Sequence, residues 1–332
     1  MRTTLTFIGI LTISWGVAVA EGTPDCYKKV DQVLWVVSDL DKTIEKYSQL
    51  GFSQYTEFRD VEIEFKMTGT KETVRMAVAN LGGAIVNWIQ PPDNESLFGQ
   101  FLETYGDGAM SLVHRFPGKE ELNEETTRLQ SLGIGILERI TIQTEMGSLR
   151  FVLMNTRPEG KYVLGFTHGD SGLEIRRNLK DENRHNMKIN QYAFAIRDPE
   201  PVSRFWAGIG LPEFQINHPV LGETRYYGEL VDHQLIQGWQ RHGTISYEWC
   251  IPVKPPIVYE DHILKHGEGI HHLAFTVHDM DEVLKDYTER GFVVSMGGTW
   301  GEKGKPGSGR YEYIDLEDAG GVTMELLWSY NE

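Results

Sequence analysis

The sequence predicts an α+β chain of four βαβββ modules arranged as a duplicated pair. Three observations predict it. Four segments open on a short apolar run, pass through a polar cap into a helix-length stretch and stop on a glycine. Each is followed by strand-like runs with turn residues between them. The spacer that joins the first two segments recurs between the last two, which marks an internal repeat.

Taken in order, the first segment runs from Val30–Val37 through Ser38-Asp39-Leu40-Asp41 into Lys42–Leu50 and Gly51-Phe52. The second is fainter: Gly106–His114, a helix from Glu120, then Gly133-Ile134. The third is Ile189–Ile196, Arg197-Asp198-Pro199-Glu200, Pro201–Ile209 and Gly210-Leu211. The fourth is Ile270–Val277, a helix over Asp281–Arg290, and Gly291-Phe292. Asp39, Asp198 and Asp279 stand where a carboxylate can accept from the first free helix amides. The four glycines stand where a helix ends in the left-handed conformation.

A second level of repetition groups the modules. Trp88-Ile89-Gln90-Pro91-Pro92, a helix and Tyr105-Gly106-Asp107-Gly108 join the first two. Trp249-Cys250-Ile251-Pro252 with Pro255-Pro256, a helix and His266-Gly267-Glu268-Gly269 join the last two. The expected domains are residues 28–170 and 187–330, joined by the polar stretch Ser171–Asn186.

The chain has 332 residues, 40% hydrophobic and 24% charged, as a globular protein does. Its net charge of −16 argues against electrostatic binding to nucleic acid or to an anionic membrane. Residues 1–20 read as a signal peptide: Arg2, an apolar stretch from Leu5 to Val19, and Ala18-Val19-Ala20 as the cleavage site. A secreted or periplasmic location, with no membrane attachment after cleavage, is the expectation. Such a compartment permits a disulfide between Cys26 and Cys250, but two cysteines make no framework.

The chemistry sits in two columns of the aligned modules, one in the opening strand and one in the closing strand. In the third module they hold Gln191 and Glu248, and in the fourth His272 and Glu325. In the first they hold Gln32 and Asn87, and in the second Ser111 and Leu164. Glu248 and Glu325 each lie within an apolar strand, where a carboxylate needs a partner or a metal. Gln191, Glu248, His272 and Glu325 together suit a divalent ion held octahedrally with one or two positions left to water. The first-half set is a poor metal site. Tyr226, Tyr227, His233, Trp239, Arg241, His242, Arg310, Tyr311 and Tyr313 are further cavity candidates, each also readable as an ordinary strand side chain. Gly297–Gly309 lacks a phosphate-binding motif and reads as a mobile rim.

Asn190-Gln191-Tyr192-Ala193-Phe194, Gly269–Phe275, Tyr247-Glu248-Trp249 and Met324-Glu325-Leu326 resemble the vicinal oxygen chelate superfamily, to which glyoxalase I, methylmalonyl-CoA epimerase and the extradiol dioxygenases belong. The resemblance implies that each module pair curls a sheet into a half-barrel domain around one metal. It places the ligands on Gln191, Glu248, His272 and Glu325, with His271 facing away. It implies one divalent ion (Zn, Ni, Mn, Co or Fe) and an exported lyase or isomerase of glyoxalase-like class. There the metal stabilises an enolate next to a carbonyl, and Glu248, ahead of Glu325, serves as base and ligand. The runner-up is an extradiol dioxygenase, although Gln191 stands where that class has a histidine and Glu248 is an extra carboxylate. A non-catalytic binding protein is the third reading. Expected partners are a small-molecule substrate, with a homodimer as an option. An exported enzyme is not expected to meet glutathione or coenzyme A thioesters.

Overall fold

The structure, a computed structural model, describes residues 23–93, 95–244, 246–303 and 305–330. The expected leader, Ile245 and Gly304 lie outside the described residues.

The first module is β1 (Gln32–Val36), α1 (Leu40–Gln49), β2 (Tyr55–Phe65), β3 (Thr70–Leu81) and β4 (Ala84–Gln90). Helix α2 (Leu97–Tyr105) leads to the second: β5 (Gly108–Phe116), α3 (Lys119–Ser131), β6 (Ile136–Thr144), β7 (Gly147–Met154), the single turn α4 (Arg157–Gly160) and β8 (Val163–His168). A short α5 (Leu173–Arg176) precedes the third module. That module holds β9 (Lys188–Ala195), α6 (Pro199–Gly208), β10 (Gln215–Asn217), β11 (Leu221–Tyr226), β12 (Glu229–Leu230), β13 (Gln234–Arg241) and β14 (Ser246–Lys254). After α7 (Val258–His266) the fourth is β15 (Gly269–Thr276), α8 (Met280–Glu289), β16 (Val294–Trp300), β17 (Gly309–Ile314) and β18 (Thr323–Ser329). The caps act as the sequence suggests: Asp39, Asp198 and Asp279 accept from the amides of Lys42, Glu200 and Glu282. Gly51, Gly133, Gly210 and Gly291 all have φ between 84° and 102°.

The α+β class and the paired modules hold, and the two halves differ in closure. The first eight strands form a closed barrel in the order β1-β4-β3-β2-β6-β7-β8-β5. The remaining ten form an open curled sheet, β10-β13-β14-β9-β15-β18-β17-β16-β11-β12. Only the second half is therefore the half-barrel that was expected. The physical reason is one strand. β2 runs unbroken for eleven residues and pairs with β3 on one side and β6 on the other. Its counterpart is split by His218-Pro219-Val220, and proline has no amide to give to a ladder. The first part, β10, stays with β13, while β11 crosses to β16 and folds back into β12. The chain thus spans the gap between the two sides of the open sheet.

Burial follows from this. The closed barrel is filled by Leu34, Val36, Ile63, Met76, Ile140, Leu149, Phe151 and their neighbours. The open sheet carries a sparser apolar lining that includes Leu235, Tyr259, Met296, Tyr311 and Tyr313. The outer faces of both sheets share a third core with α1, α3, α6 and α8, which joins the halves. Trp206 stacks on Tyr162 and donates to the Gly160 carbonyl, and Trp35 donates to that of Gly320. Cys26 and Cys250 are both free.

The stretch before β9 is tied down by charge. Asp286 on α8 accepts from Arg184 (2.8 Å), His185 (3.0 Å) and Arg290 (2.8 Å). Partial burial raises its pKa, but these three donors outweigh that and hold it at about 2. A depressed folded-state pKa stabilises above the unfolded value near 3.8 and is lost as pH falls toward 2. Asp286→Asn is expected to cost about 1 kcal/mol at pH 6, after allowance for solvent screening, and only a small part of that at pH 2. Urea unfolding at the two pH values measures this; an equal cost at both would show that charge is not what holds the segment.

Candidate metal centre

Four strands converge at the middle of the open sheet. β9 and β15 pair antiparallel, and each is flanked by a parallel partner, β14 and β18. Side chains alternate along a strand, so one face collects every second residue. On the inner face this brings Gln191, Glu248, His272 and Glu325 together, none more than 4% exposed.

The register also aligns the two halves residue by residue. Leu34 faces Asn87 as Ala193 faces Glu248, and Ser111 faces Leu34 as His272 faces Ala193. The counterpart of Glu325, which faces Ala274, is then Gly165, which faces Val113. The expected Leu164 is one residue out of step and packs in the outer core. A side chain at Gly165 has no room, because its Cβ would stand 2.6 Å from Ser111 Oγ. Asn87 donates to Gln32 Oε1 at 2.9 Å, while Asn87 Oδ1 and Ser111 Oγ are buried without a hydrogen bond, and the set holds no charged group.

The second-half set differs in gathering two carboxylates and an imidazole. Gln191 Nε2 donates to Glu248 Oε2 (2.8 Å) and to Glu325 Oε2 (3.0 Å). His272 Nε2 lies 3.5 Å and 3.2 Å from the same two oxygens. It is within ion-pairing reach yet aligned with neither, and it is a buried nitrogen without a hydrogen bond. Burial opposes charge on His272, but the carboxylates, Glu325 foremost, outweigh it and raise its pKa to about 9. Burial raises the Glu325 carboxyl, and the imidazole counters only part of that. A proton on His272 is therefore what balances two buried carboxylates when no metal is there.

His271 is not turned out to solvent. It is 2% exposed, its Nδ1 is 2.8 Å from His272 Nδ1, and burial holds its pKa well down. A neutral His271 accepts from His272 Nδ1–H, which leaves Nε2 facing the carboxylates as the nitrogen that would give up its proton to bind a cation.

Glu248, His272 and Glu325 offer ligand atoms that all lie within 4.8 Å of one another. The orphaned imidazole nitrogen, the oxygen-rich donor set and the full burial fit a divalent cation. Gln191 can join them, since turning its amide over exchanges Nε2 for Oε1 at the same place.

Glu248 has a further restraint that the sequence did not disclose. Gln237 Nε2 donates to Glu248 Oε1 at 2.6 Å, and Asn217 Nδ2 donates to Gln237 Oε1 at 3.0 Å. Gln237, Trp239 and Arg241 alternate along β13 and share a face, but Gln234–Arg241 carries no polar–apolar alternation that would flag Gln237.

A pocket of about 400 Å³ opens over the centre. Trp239, Arg241, Tyr311 and Tyr313 line it as expected, together with Asn217, Gln237, Tyr259, Met296 and Trp300. The other cavity candidates are engaged elsewhere or buried away from it. Tyr226 donates to Asp261, Tyr227 to Asp315, and Arg310 to Glu312 and Asp281. His242 packs on Tyr247, and His233 is buried outside the lining. In the Gly297–Gly309 stretch, residues 297–300 and 309 belong to strands, and 301–303 and 305–308 form the turns that join them. Gly297 and Gly298 lie in β16, where a Cβ would collide with Glu312 and stand 2.8 Å from Tyr311 Oη.

Residues 190–309 match the family described as the glyoxalase/bleomycin resistance protein/dioxygenase superfamily. Among solved structures, a variant of 4-hydroxymandelate synthase from Streptomyces coelicolor is 13% identical with a TM-score of 0.58, covering 91% of this chain and 92% of its own. A catechol 2,3-dioxygenase is 12% identical with a TM-score of 0.51, covering 91% and 88%. A Mn(II)-bound glyoxalase from Novosphingobium aromaticivorans is 13% identical with a TM-score of 0.49, covering 92% and 83%. At these identities the likeness is one of fold.

Proposed function

We propose that this chain, which belongs to the glyoxalase/bleomycin resistance protein/dioxygenase superfamily, is an exported metal-dependent lyase or isomerase that moves a proton next to a carbonyl of a small substrate. The observation that carries this reading is the unequal tethering of two buried glutamates around one orphaned imidazole nitrogen. Gln191, Glu248, His272 and Glu325 would hold a single divalent cation. A cation bound there supplies a Lewis acid that polarises the carbonyl and makes the neighbouring C–H acidic.

The protein's own groups then divide the work. Both oxygens of Glu248 are held, by Gln191 and by Gln237, so it is fixed as a ligand and is a poor acceptor. Glu325 has one oxygen held by Gln191, and burial pushes its carboxyl toward higher pKa, as a base near neutrality requires. Glu325 takes the proton from one carbon and returns it to the adjacent one, a balanced shift that needs no oxidant. This moves the base from Glu248, where the sequence comparison set it, to Glu325. Tyr259 and Tyr313, joined hydroxyl to hydroxyl at 2.7 Å, wall the site on one side.

The fold is shared with dioxygenases, so the test must separate proton from oxygen chemistry. Mn(II)-loaded protein incubated with α-hydroxycarbonyl compounds in deuterated water is expected to place deuterium on the carbon beside the carbonyl, read by NMR. Oxygen uptake with catechols by the Fe(II)-loaded protein, and no deuterium exchange, would overturn the reading in favour of ring cleavage.

A further inference from the structure

We propose that Arg241 is an anion-binding end to this site, so that the substrate is a carbonyl compound with a carboxylate at its far end. The inference rests on the metal-centre reading above and narrows its substrate class.

Among the described residues that line the pocket, Arg241 is the one cation. Its guanidinium lies 4.6 Å from the centroid of the Trp239 ring, which limits the conformations of a long side chain and leaves its donor edge open. Among the described residues no carboxylate pairs with it. Arg241 is exposed at the pocket, in a chain with 48 acidic and 32 basic residues where several arginines pair with carboxylates. Arg225 and Arg310 share Glu312, and Arg115 and Arg176 share Asp31. An arginine without a partner, stacked in a pocket, is a fork without its planar anion.

The sheet sets the spacing. Gln237 and Arg241 project to the same face, and Gln237 holds the ligand Glu248. Arg241 faces Ser246, which faces Gln191, so two strand spacings, ~10 Å, separate the Arg241 backbone from that member of the centre. Leu221, Met296, Trp300 and Leu327 make the walls between apolar. The occupant this describes has chelating oxygens at one end, an apolar body and a carboxylate at the other. The net charge of −16 opposes anions at long range, but beyond ~10 Å salt screens that field, whereas Arg241 acts in contact.

Two probes differing only in that charge test the proposal: 4-carboxyphenylacetohydroxamate and its methyl ester, titrated calorimetrically into Mn(II)-loaded protein. The hydroxamate reports on the centre and the carboxylate on Arg241. The acid is expected to bind at least tenfold tighter than the ester in 50 mM salt, with the ratio shrinking at 0.5 M. Arg241→Gln is expected to bring the ratio within twofold by weakening the acid, and Arg241→Lys to restore part of it. Equal binding of acid and ester by the unaltered protein, or a preference that survives Arg241→Gln, overturns the proposal and leaves the centre standing. If neither probe binds with metal present, the metal-centre reading falls and this inference falls with it.

Discussion

Replacing His272 with alanine is expected to lower divalent-metal affinity at least 100-fold, while replacing Gln32 with alanine leaves it unchanged. Altering the shell behind a ligand typically costs 10–100-fold, so removing the only imidazole of the set costs more. Gln32 lies in the equivalent four-strand centre of the first half, where it matches Gln191 as Ser111 matches His272, so it is a control from the half without the carboxylates. Gln32 is engaged by Asn87, whereas His272 presents an orphaned Nε2 to two carboxylates. Equilibrium dialysis with Mn(II) measures both, with circular dichroism to show that each variant is folded. If Gln32→Ala strips the metal and His272→Ala does not, the centre has been placed in the wrong half. Equal loss in both would mean that the change acts through the fold.

Glu325→Gln is expected to reduce kcat by about 10²–10⁴, the usual contribution of a positioned general base, while metal affinity falls about tenfold or less. The amide keeps an oxygen for a cation but cannot accept a proton. Glu248→Gln should show the reverse balance, with affinity falling more than kcat. The contrast follows from tethering. Glu248 accepts from Gln191 through one oxygen and from Gln237 through the other, while Glu325 is held through Oε2 by Gln191. Rate and affinity measured on both variants decide it. A larger rate loss from Glu248→Gln, with affinity kept, would return the base to Glu248.

The four residues of the centre were legible because strands alternate with a period of two and each of the four is a polar residue in an apolar run. Leu164 shows where that method stops. Val163, Leu164 and Gly165 carry no polar marker, so a slip of one residue costs nothing in the sequence and swaps the face in the structure. Gln237 was overlooked because β13 mixes polar and apolar residues on both faces, and its role depends on a partner eleven positions away. The resemblance implied that His271 faces away from the metal, and it lies outside the group of candidate ligand atoms, yet it is buried. A register shift between Ile270 and His272 in the β9–β15 ladder accompanies its burial beside His272. Closure of the first barrel was beyond reach for a different reason. It depends on whether one strand stays whole, and the 212–233 region offers several turn signals without saying which of them breaks the ladder.

The split between β10 and β11 has a consequence for how stability is distributed. An intact strand in that place, as in the first half, would seal the pocket over Gln191 and Glu248. Opening it leaves a three-residue ribbon and a two-residue ribbon to end the sheet, and puts exposed apolar groups at Ile216, Val220 and Leu230. The free energy of local opening is lowest where few buried contacts hold the backbone, so amide protons from 215 to 231 should exchange orders of magnitude faster than those of β2. The closed barrel, with no buried carboxylate among Gln32, Asn87 and Ser111, acts as a thermodynamic anchor for a partner whose strand is broken above its pocket, an arrangement in which duplication relieves one copy of the conflict between stability and activity.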